Sequence, residues 1–290
     1  MRLLVGLAIA VALALPPVAA EAAAIHVVAA ENVYGDIAGA IGGNRVDVVS
    51  ILNNPAQDPH LFEASPSVVR RFADARLVII NGAGYDAWAE KLLLTAPRAE
   101  RRVINVARLT SRKPGDNPHF WYDPAVMPVV ARAIAAALSE ADPGHASDYA
   151  ARLTTTLTAL DSVGTRATRL RAKHAGTPVT ATEPVFGPMA DALGLVMRNR
   201  SFQTAMMNDT EPAARDLAAF ENDLKQHKVR ALIYNAQMSE QLTERLLAVA
   251  RKAGVPVVPV TEMQPAGVSF ADWMLGELEA LDKALTEPGS

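Results

Sequence analysis

The sequence predicts an α/β protein of two β/α lobes, each with a mostly parallel sheet, joined by a single long helix. Three observations carry this. Short β-branched runs alternate with amphipathic segments from residue 25 to residue 144, the rhythm of β-α units with parallel strands. Apolar positions at near-helical spacing then continue without a proline from His145 to His174. After Gly176 the β/α rhythm resumes. The expected divisions are a signal peptide over 1–24, a first lobe over 25–144, a linker helix over 145–175 and a second lobe over 176–290.

The opening Met1 to Pro17 sets one arginine before a short apolar run closed by two prolines, with small residues at Ala20, Ala22, Ala23 and Ala24. That is the pattern of a cleaved secretory signal, and a membrane anchor would want a charged stop after the run. The 290 residues are 50% hydrophobic and 20% charged, with a net charge of −3 and no cysteine, and the mean hydropathy is +0.11. This is ample material for a large core. Without cysteine there are no disulfides and no thiolate metal sites, so a bound metal must be held by histidine and carboxylate. No basic run with interleaved aromatics occurs, which argues against a nucleic-acid partner.

Ile25 to Ala30 reads as the first strand, with His26 inside it as a neighbour-satisfied histidine, and Glu31 to Ala38 opens a helix. Val46 to Ile51 is a second strand. Ser65-Pro66 starts a helix, the serine capping and the proline in the first turn. Leu77-Val78-Ile79-Ile80 carries no charge, the mark of a strand buried on both faces. Gly82 and Gly84 in the turn after it are too few for a nucleotide-binding loop. A helix near Trp88 to Leu94, a strand at Arg102 to Val106 and a helix after Pro124, with Val129, Val130, Ile134 and Leu138 on one face, complete the first lobe. Tyr149, Leu153, Leu157, Leu160, Val163 and Leu170 then mark a linker helix of about 40 Å. His145 and His174 sit at its ends, where exposure or a dipole-facing role is the plain reading. In the second lobe, strands are expected at Pro178 to Ala181, Leu195 to Arg198, Ala231 to Tyr234 and Pro256 to Val260. A helix should open after Asn208, capped by Asp209 or Thr210 with Pro212 in its first turn.

Two near-repeated phrases stand out: Asp58-Pro59-His60-Leu61-Phe62-Glu63 and Asn117-Pro118-His119-Phe120-Trp121-Tyr122-Asp123-Pro124. A proline keeps the preceding residue out of the helical region, so each histidine projects from a stiff loop suited to a metal ligand. Glu63 and Asp123 lie close enough to engage the second ring nitrogen. Either histidine alone is an ordinary loop residue, but the repetition is not a product of surface composition. Glu183 and Glu262 follow predicted strands of the second lobe, where open α/β sheets bind ligands. Each could be a solvated strand-end acid. Together with His60 and His119 they would make a nitrogen/oxygen site for one divalent cation.

These motifs, with Pro66, Asp142-Pro143, Tyr149 and Thr182-Glu183 before Phe186, make the chain resemble the zinc and manganese solute-binding proteins of ABC importers over nearly all of its mature length. The resemblance implies two lobes on one rigid helix with the cation between them, and it places Glu183 and Glu262 as third and fourth ligands beside His60 and His119. It further implies a monomeric, soluble periplasmic receptor that carries Mn²⁺ or Zn²⁺ to an ABC permease, and not an enzyme. Asn117 stands where an acid is common before the second Pro-His. The third ligand is Glu rather than the His of zinc-type members, and the fourth is Glu where Asp is more usual. The stretch Arg108 to Asp116 is short, without the His-rich loop of many zinc-specific members. Two carboxylates tilt the choice toward manganese, although raw affinity favours zinc. The rival readings are a metal-dependent periplasmic hydrolase, for which no general-base motif such as His-Glu-x-x-His is present, and an adhesion protein on the same fold.

Overall fold

The β-branched run at the start of the described chain pairs on both sides, and the rest of the first lobe is built outward from it. The structure is a computed structural model that describes residues 24–54, 62–238 and 241–286; the signal reading of the first residues lies outside these. The first lobe holds β1 (Ile25–Glu31), α1 (Asn32–Gly42), β2 (Val46–Leu52), α2 (Pro66–Asp74), β3 (Leu77–Ile80), α3 (Ala87–Thr95), β4 (Arg102–Asn105), α4 (Val106–Leu109) and α5 (Val126–Ala141). The long helix α6 spans Ala146–His174. The second lobe holds β5 (Pro178–Ala181), α7 (Gly187–Ala192), β6 (Val196–Arg198), α8 (Arg200–Met207), α9 (Ala214–Lys225), β7 (Leu232–Asn235), α10 (Gln241–Lys252), β8 (Val257–Val260) and α11 (Phe270–Thr286).

Both lobes repeat one plan. The strand orders are β2-β1-β3-β4 and β6-β5-β7-β8, and every pairing between them is parallel. Each chain segment therefore starts in the middle of its sheet, and the order reverses between β1 and β3 and again between β5 and β7. Such a reversal splays the loops at the carboxyl ends of the strands and leaves a crevice there. All four residues of β3 are buried, as an uncharged run in a parallel sheet requires.

The long helix is the element both lobes share. Tyr149, Leu160, Val163, Ala167 and Leu170 are buried along one face, and they join a single apolar core running from Val27 and Ile79 in the first sheet to Val179, Ile233 and Val258 in the second. At its start, the Tyr149 hydroxyl donates to Asp142 at 2.9 Å. Burial and this contact push the Tyr149 hydroxyl up to about 12. At its end His174 is buried, 8% exposed, and bonds Asp282 of α11 at 2.8 Å. The exposed or dipole-facing role expected of His174 is thus replaced by an ion-pair network, because α11 packs alongside.

Local signals were obeyed where no neighbouring element competed. Ser65 Oγ accepts from the Val68 amide at 3.4 Å, with Pro66 at the helix start. The start expected after Asn208 is displaced: α9 opens at Ala214 behind Ala213, with no side-chain cap. Asn208 and Thr210 instead donate their amides back to Thr204 and Ala205, closing α8, and Asp209 takes φ 49° in that closure. On α5, Val130, Ile134 and Leu138 are buried as expected, but Val129 is 40% exposed; Val126 and Met127 set the buried stripe and leave it off that face.

Asp282 receives Arg166, Lys173 and His174, all from α6. These hydrogen bonds hold its carboxyl well below the ordinary value of 3.8, against the opposing effect of burial. Asp282→Asn should lower the unfolding free energy at pH 7 by about 1–3 kcal/mol, as for a hydrogen-bonded charge, measured by urea denaturation. Since the folded value is depressed, the wild-type advantage is complete above the unfolded carboxylate range and fades as pH falls through the folded value. A difference that grew on acidification would contradict this origin.

Candidate metal centre between the lobes

His119 is fixed by its own sequence neighbours. It follows Pro118 in the loop after α4 and is 1% exposed. Asn117 Oδ1 accepts from the His119 amide at 3.1 Å and contacts ring Nδ1 at 2.8 Å, while Asn117 Nδ2 donates to the Pro184 carbonyl of the other lobe at 2.6 Å. An amide oxygen can only accept, so Nδ1 carries a hydrogen, and in the neutral ring Nε2 turns its lone pair outward. Gly187 makes room for this: a Cβ there would lie 2.5 Å from Asn117 Nδ2.

The second lobe brings its acid to that lone pair. Glu262 follows β8, and its Oε1 lies 3.2 Å from His119 Nε2. Gln237 Oε1 holds the Glu262 and Met263 amides at 3.0 and 2.9 Å, which stiffens the loop. Tyr85 of the first lobe donates to Glu262 Oε1 at 2.7 Å. Two acceptors facing each other at this distance are held by a shared proton or a cation. Two donors of one cation at about 2.0–2.2 Å would sit about 3.0–3.5 Å apart, which this pair matches.

Glu183 stands after β5 and is half-buried. Asn235, the last residue of β7, spans the two acids: its Nδ2 lies 3.2 Å from Glu183 Oε2 and 3.4 Å from Glu262 Oε2. Glu183 and Glu262 of the second lobe therefore share Asn235, and Glu262 faces His119 of the first lobe. Among the described residues, however, no three His, Asp or Glu side chains are grouped tightly enough to hold an ion on their own. His60 lies outside the described residues.

Of the two expected ring partners, Asp123 is described together with its histidine, whereas Glu63 is described without His60. Asp123 does not reach His119; it pairs with Arg112 and accepts the Ala125 amide at 3.0 Å at the start of the next helix. Asn117 takes the ring nitrogen, because the turn after His119 carries Asp123 away while Asn117 folds back beside it. Glu63 is exposed and borders a crevice with Phe62, Tyr85, Trp88 and Lys91.

Behind the site lies a buried polar layer that the motifs did not reveal. Asn81, directly after β3, donates to the Pro118 carbonyl at 2.9 Å and accepts from Tyr34 at 2.5 Å. Asp86 accepts the Asn81 and Gly82 amides at 2.7 and 2.8 Å. Burial raises the Asp86 carboxyl to about 6, and burial together with the nearby Asp86 charge pushes Glu31, at the end of β1, well above its ordinary range. Across the lobes, Asn32 and Gln264 exchange hydrogen bonds of 2.8 and 3.3 Å. The signal for Glu31, Asn81 and Asn235 was present: each is a polar residue at the end of an apolar strand, as Glu183 and Glu262 are.

Asn117→Ala should cost about 1–3 kcal/mol of folding stability, since it strips partners from a buried ring nitrogen and a carbonyl. Asn117→Asp keeps the acceptor and loses only the donor, so its cost in the same denaturation assay should be smaller. Equal losses would mean that Asn117 does not hold the ring.

Comparison with known proteins gives the family and the fold. A family profile described as zinc-uptake complex component A, periplasmic (ZnuA), matches residues 27–284. The manganese ABC transporter substrate-binding lipoprotein PsaA of Streptococcus mitis is 31% identical over 144 residues, 45% of this chain and 46% of the relative; the chain spans about half the length of such curated relatives. A putative metal-binding protein of Treponema pallidum is 22% identical over 286 residues, 91% of this chain and 88% of the relative. The fold is that of the periplasmic zinc binding protein TroA from Treponema pallidum, with a TM-score of 0.76 at 19% identity, covering 90% of this chain and 99% of that one. The chain, matched across both lobes and the helix between them, belongs to the ZnuA family.

Proposed function

We propose that the chain is the receptor of a metal ABC importer, which takes a divalent transition metal between its lobes and delivers it to a membrane permease. The observation that carries this is the 3.2 Å approach of His119 Nε2 to Glu262 Oε1 from opposite lobes, with the ring tautomer set by Asn117 so that a lone pair faces the acid. We assign the cargo to His60, His119, Glu183 and Glu262. Neutral imidazoles and carboxylates suit manganese or zinc, and the two glutamates tilt the choice to manganese. The manganese lipoprotein of Streptococcus mitis is a relative consistent with that choice. Neither a hydrolase nor an adhesin is favoured by any contact at this site.

Cleavage of the apolar leader as a secretory signal would release the receptor into the periplasm, where we take it to act as a soluble monomer; among the described residues no helix is long and apolar enough to cross a membrane. Delivery involves little rotation of the lobes. They share one core across α6 and are further joined by Asn117 to Pro184, Asn32 to Gln264, and Asp36 to the Phe270 amide at 3.0 Å. A continuous helix with such ties resists wide hinge opening.

Protein purified without added metal should carry close to one manganese or zinc per chain by mass spectrometry. His60→Ala, His119→Ala and Glu183→Ala should each weaken binding in calorimetry by more than about 100-fold, above the usual effect of altering a group behind a ligand. Unchanged affinity in all three would remove the site. X-ray scattering of metal-free and metal-loaded protein should give nearly superimposable curves; a large change in radius of gyration would rule out the rigid frame.

A further inference from the structure

Glu277 is an acid in the wrong place for a charge. It lies on α11, is 8% exposed, and plays no part in the cargo site described above. Its Oε1 accepts the Thr261 amide at 2.9 Å and the Trp273 indole N–H at 2.8 Å. Its Oε2 lies 2.8 Å from the Tyr122 hydroxyl. That hydroxyl is also 2.6 Å from the Thr261 carbonyl.

The hydrogens can be counted. Tyr122 has one hydroxyl hydrogen, and two oxygen acceptors stand within hydrogen-bond distance of it. With an ionised Glu277, one of those short oxygen pairs has no hydrogen of its own between them. With a hydrogen on Oε2, every contact is satisfied: Glu277 donates to Tyr122, and Tyr122 donates to Thr261. Burial acts in the same direction and lifts the Glu277 carboxyl to about 7, against hydrogen bonds that lower it. Few charges oppose this. Tyr122 and Thr261 face Glu277 from the site side, with Glu262 acting on the far side of Tyr122, and Trp273 faces it from α11. The cations α6 turns toward α11, Arg166, Lys173 and His174, are engaged by Asp282. Asp36 of α1 is engaged by the Phe270 amide, and Asp272 of α11 by Ser269.

The position of this relay is what gives it consequence. Tyr122 lies three residues after His119 in the first lobe, and Thr261 immediately precedes Glu262 in the second. We propose that Glu277 is a positioning residue that works as a neutral carboxylic acid: its proton, relayed through Tyr122 to the Thr261 carbonyl, keeps the His119 and Glu262 loops in register, and its loss loosens them. The effect on metal rests on the receptor reading; the protonation of Glu277 does not. Gln reproduces the neutral acid, its amide donating to Tyr122 and its oxygen accepting the two N–H groups. Ala reproduces nothing.

The test uses the full chain as wild type, Glu277→Gln and Glu277→Ala. Infrared difference spectra between wild type and Glu277→Gln at pH 6 should show a protonated carboxyl band that belongs to Glu277. Thermal melts should show wild type losing ground to Glu277→Gln as pH rises from the ordinary carboxyl value of 4.5 toward about 7. The sign follows because the folded chain binds the proton more tightly than the unfolded one, so stability falls with pH across that window and levels above it. In Mn²⁺ and Zn²⁺ titrations, Glu277→Gln should match wild type at pH 6 and exceed it by several-fold at pH 8.5, while Glu277→Ala should be weaker at both. Absence of the carboxyl band, a pH-independent difference in melting, or a Glu277→Gln variant as impaired as Glu277→Ala at pH 6 would overturn the proposal. Should wild type bind no metal at all, the receptor reading falls, and the infrared and melting results still decide the state of Glu277.

Discussion

The imidazole lone pair of His119 and the carboxylate oxygen of Glu262, set 3.2 Å apart by two separate lobes, are the constraint on which the rest of this structure depends. Each group is oriented within its own lobe and also tied to the other. Asn117 orients the imidazole and at the same time reaches across to Pro184. Tyr85 steadies the carboxylate from the first lobe. Holding an acceptor against an acceptor is unfavourable unless a proton or a cation lies between them.

The frame supplies that rigidity by repetition. Two parallel sheets with the same strand order present their carboxyl ends to a common crevice, and α6 belongs to the core of both. The apolar continuity across α6 makes lobe rotation costly, because it would expose buried surface at roughly 25 cal/mol per Å². The aromatic wall of Tyr85, His119 and Trp121, with edge-on contacts between 5.4 and 5.9 Å, keeps water from one side of the site.

Around that centre the protein buries more acid than a charged core would tolerate. Glu31 and Asp86 sit together behind the first lobe's loops, both raised by burial, and Glu277 sits behind the second lobe's loop with its carboxyl raised to about 7. Burial disfavours the charged form of each of these carboxyls, and the N–H groups that Asp86 and Glu277 accept oppose that shift. Asp86 is connected to the loop that carries His119 through Asn81, and Glu277 to the loop that carries Glu262 through Thr261.

Much of this was legible in the chain itself. The β/α alternation, the proline-free stretch that became α6, the Ser65 cap and the uncharged β3 all follow from local periodicity and capping, which short segments determine alone. His119, Glu183 and Glu262 were visible as polar residues set at strand ends or behind proline. The identity of their partners was not. Asn117 rather than Asp123 holds the ring, Asn235 spans two acids 52 and 27 residues away, and Glu277 meets Tyr122 across 155. Sequence determined the elements because backbone preferences act over a few residues; the hydrogen-bond partners were decided only by tertiary packing, which brings donors and acceptors from opposite lobes to within 3 Å or so of one another and leaves each buried group no alternative.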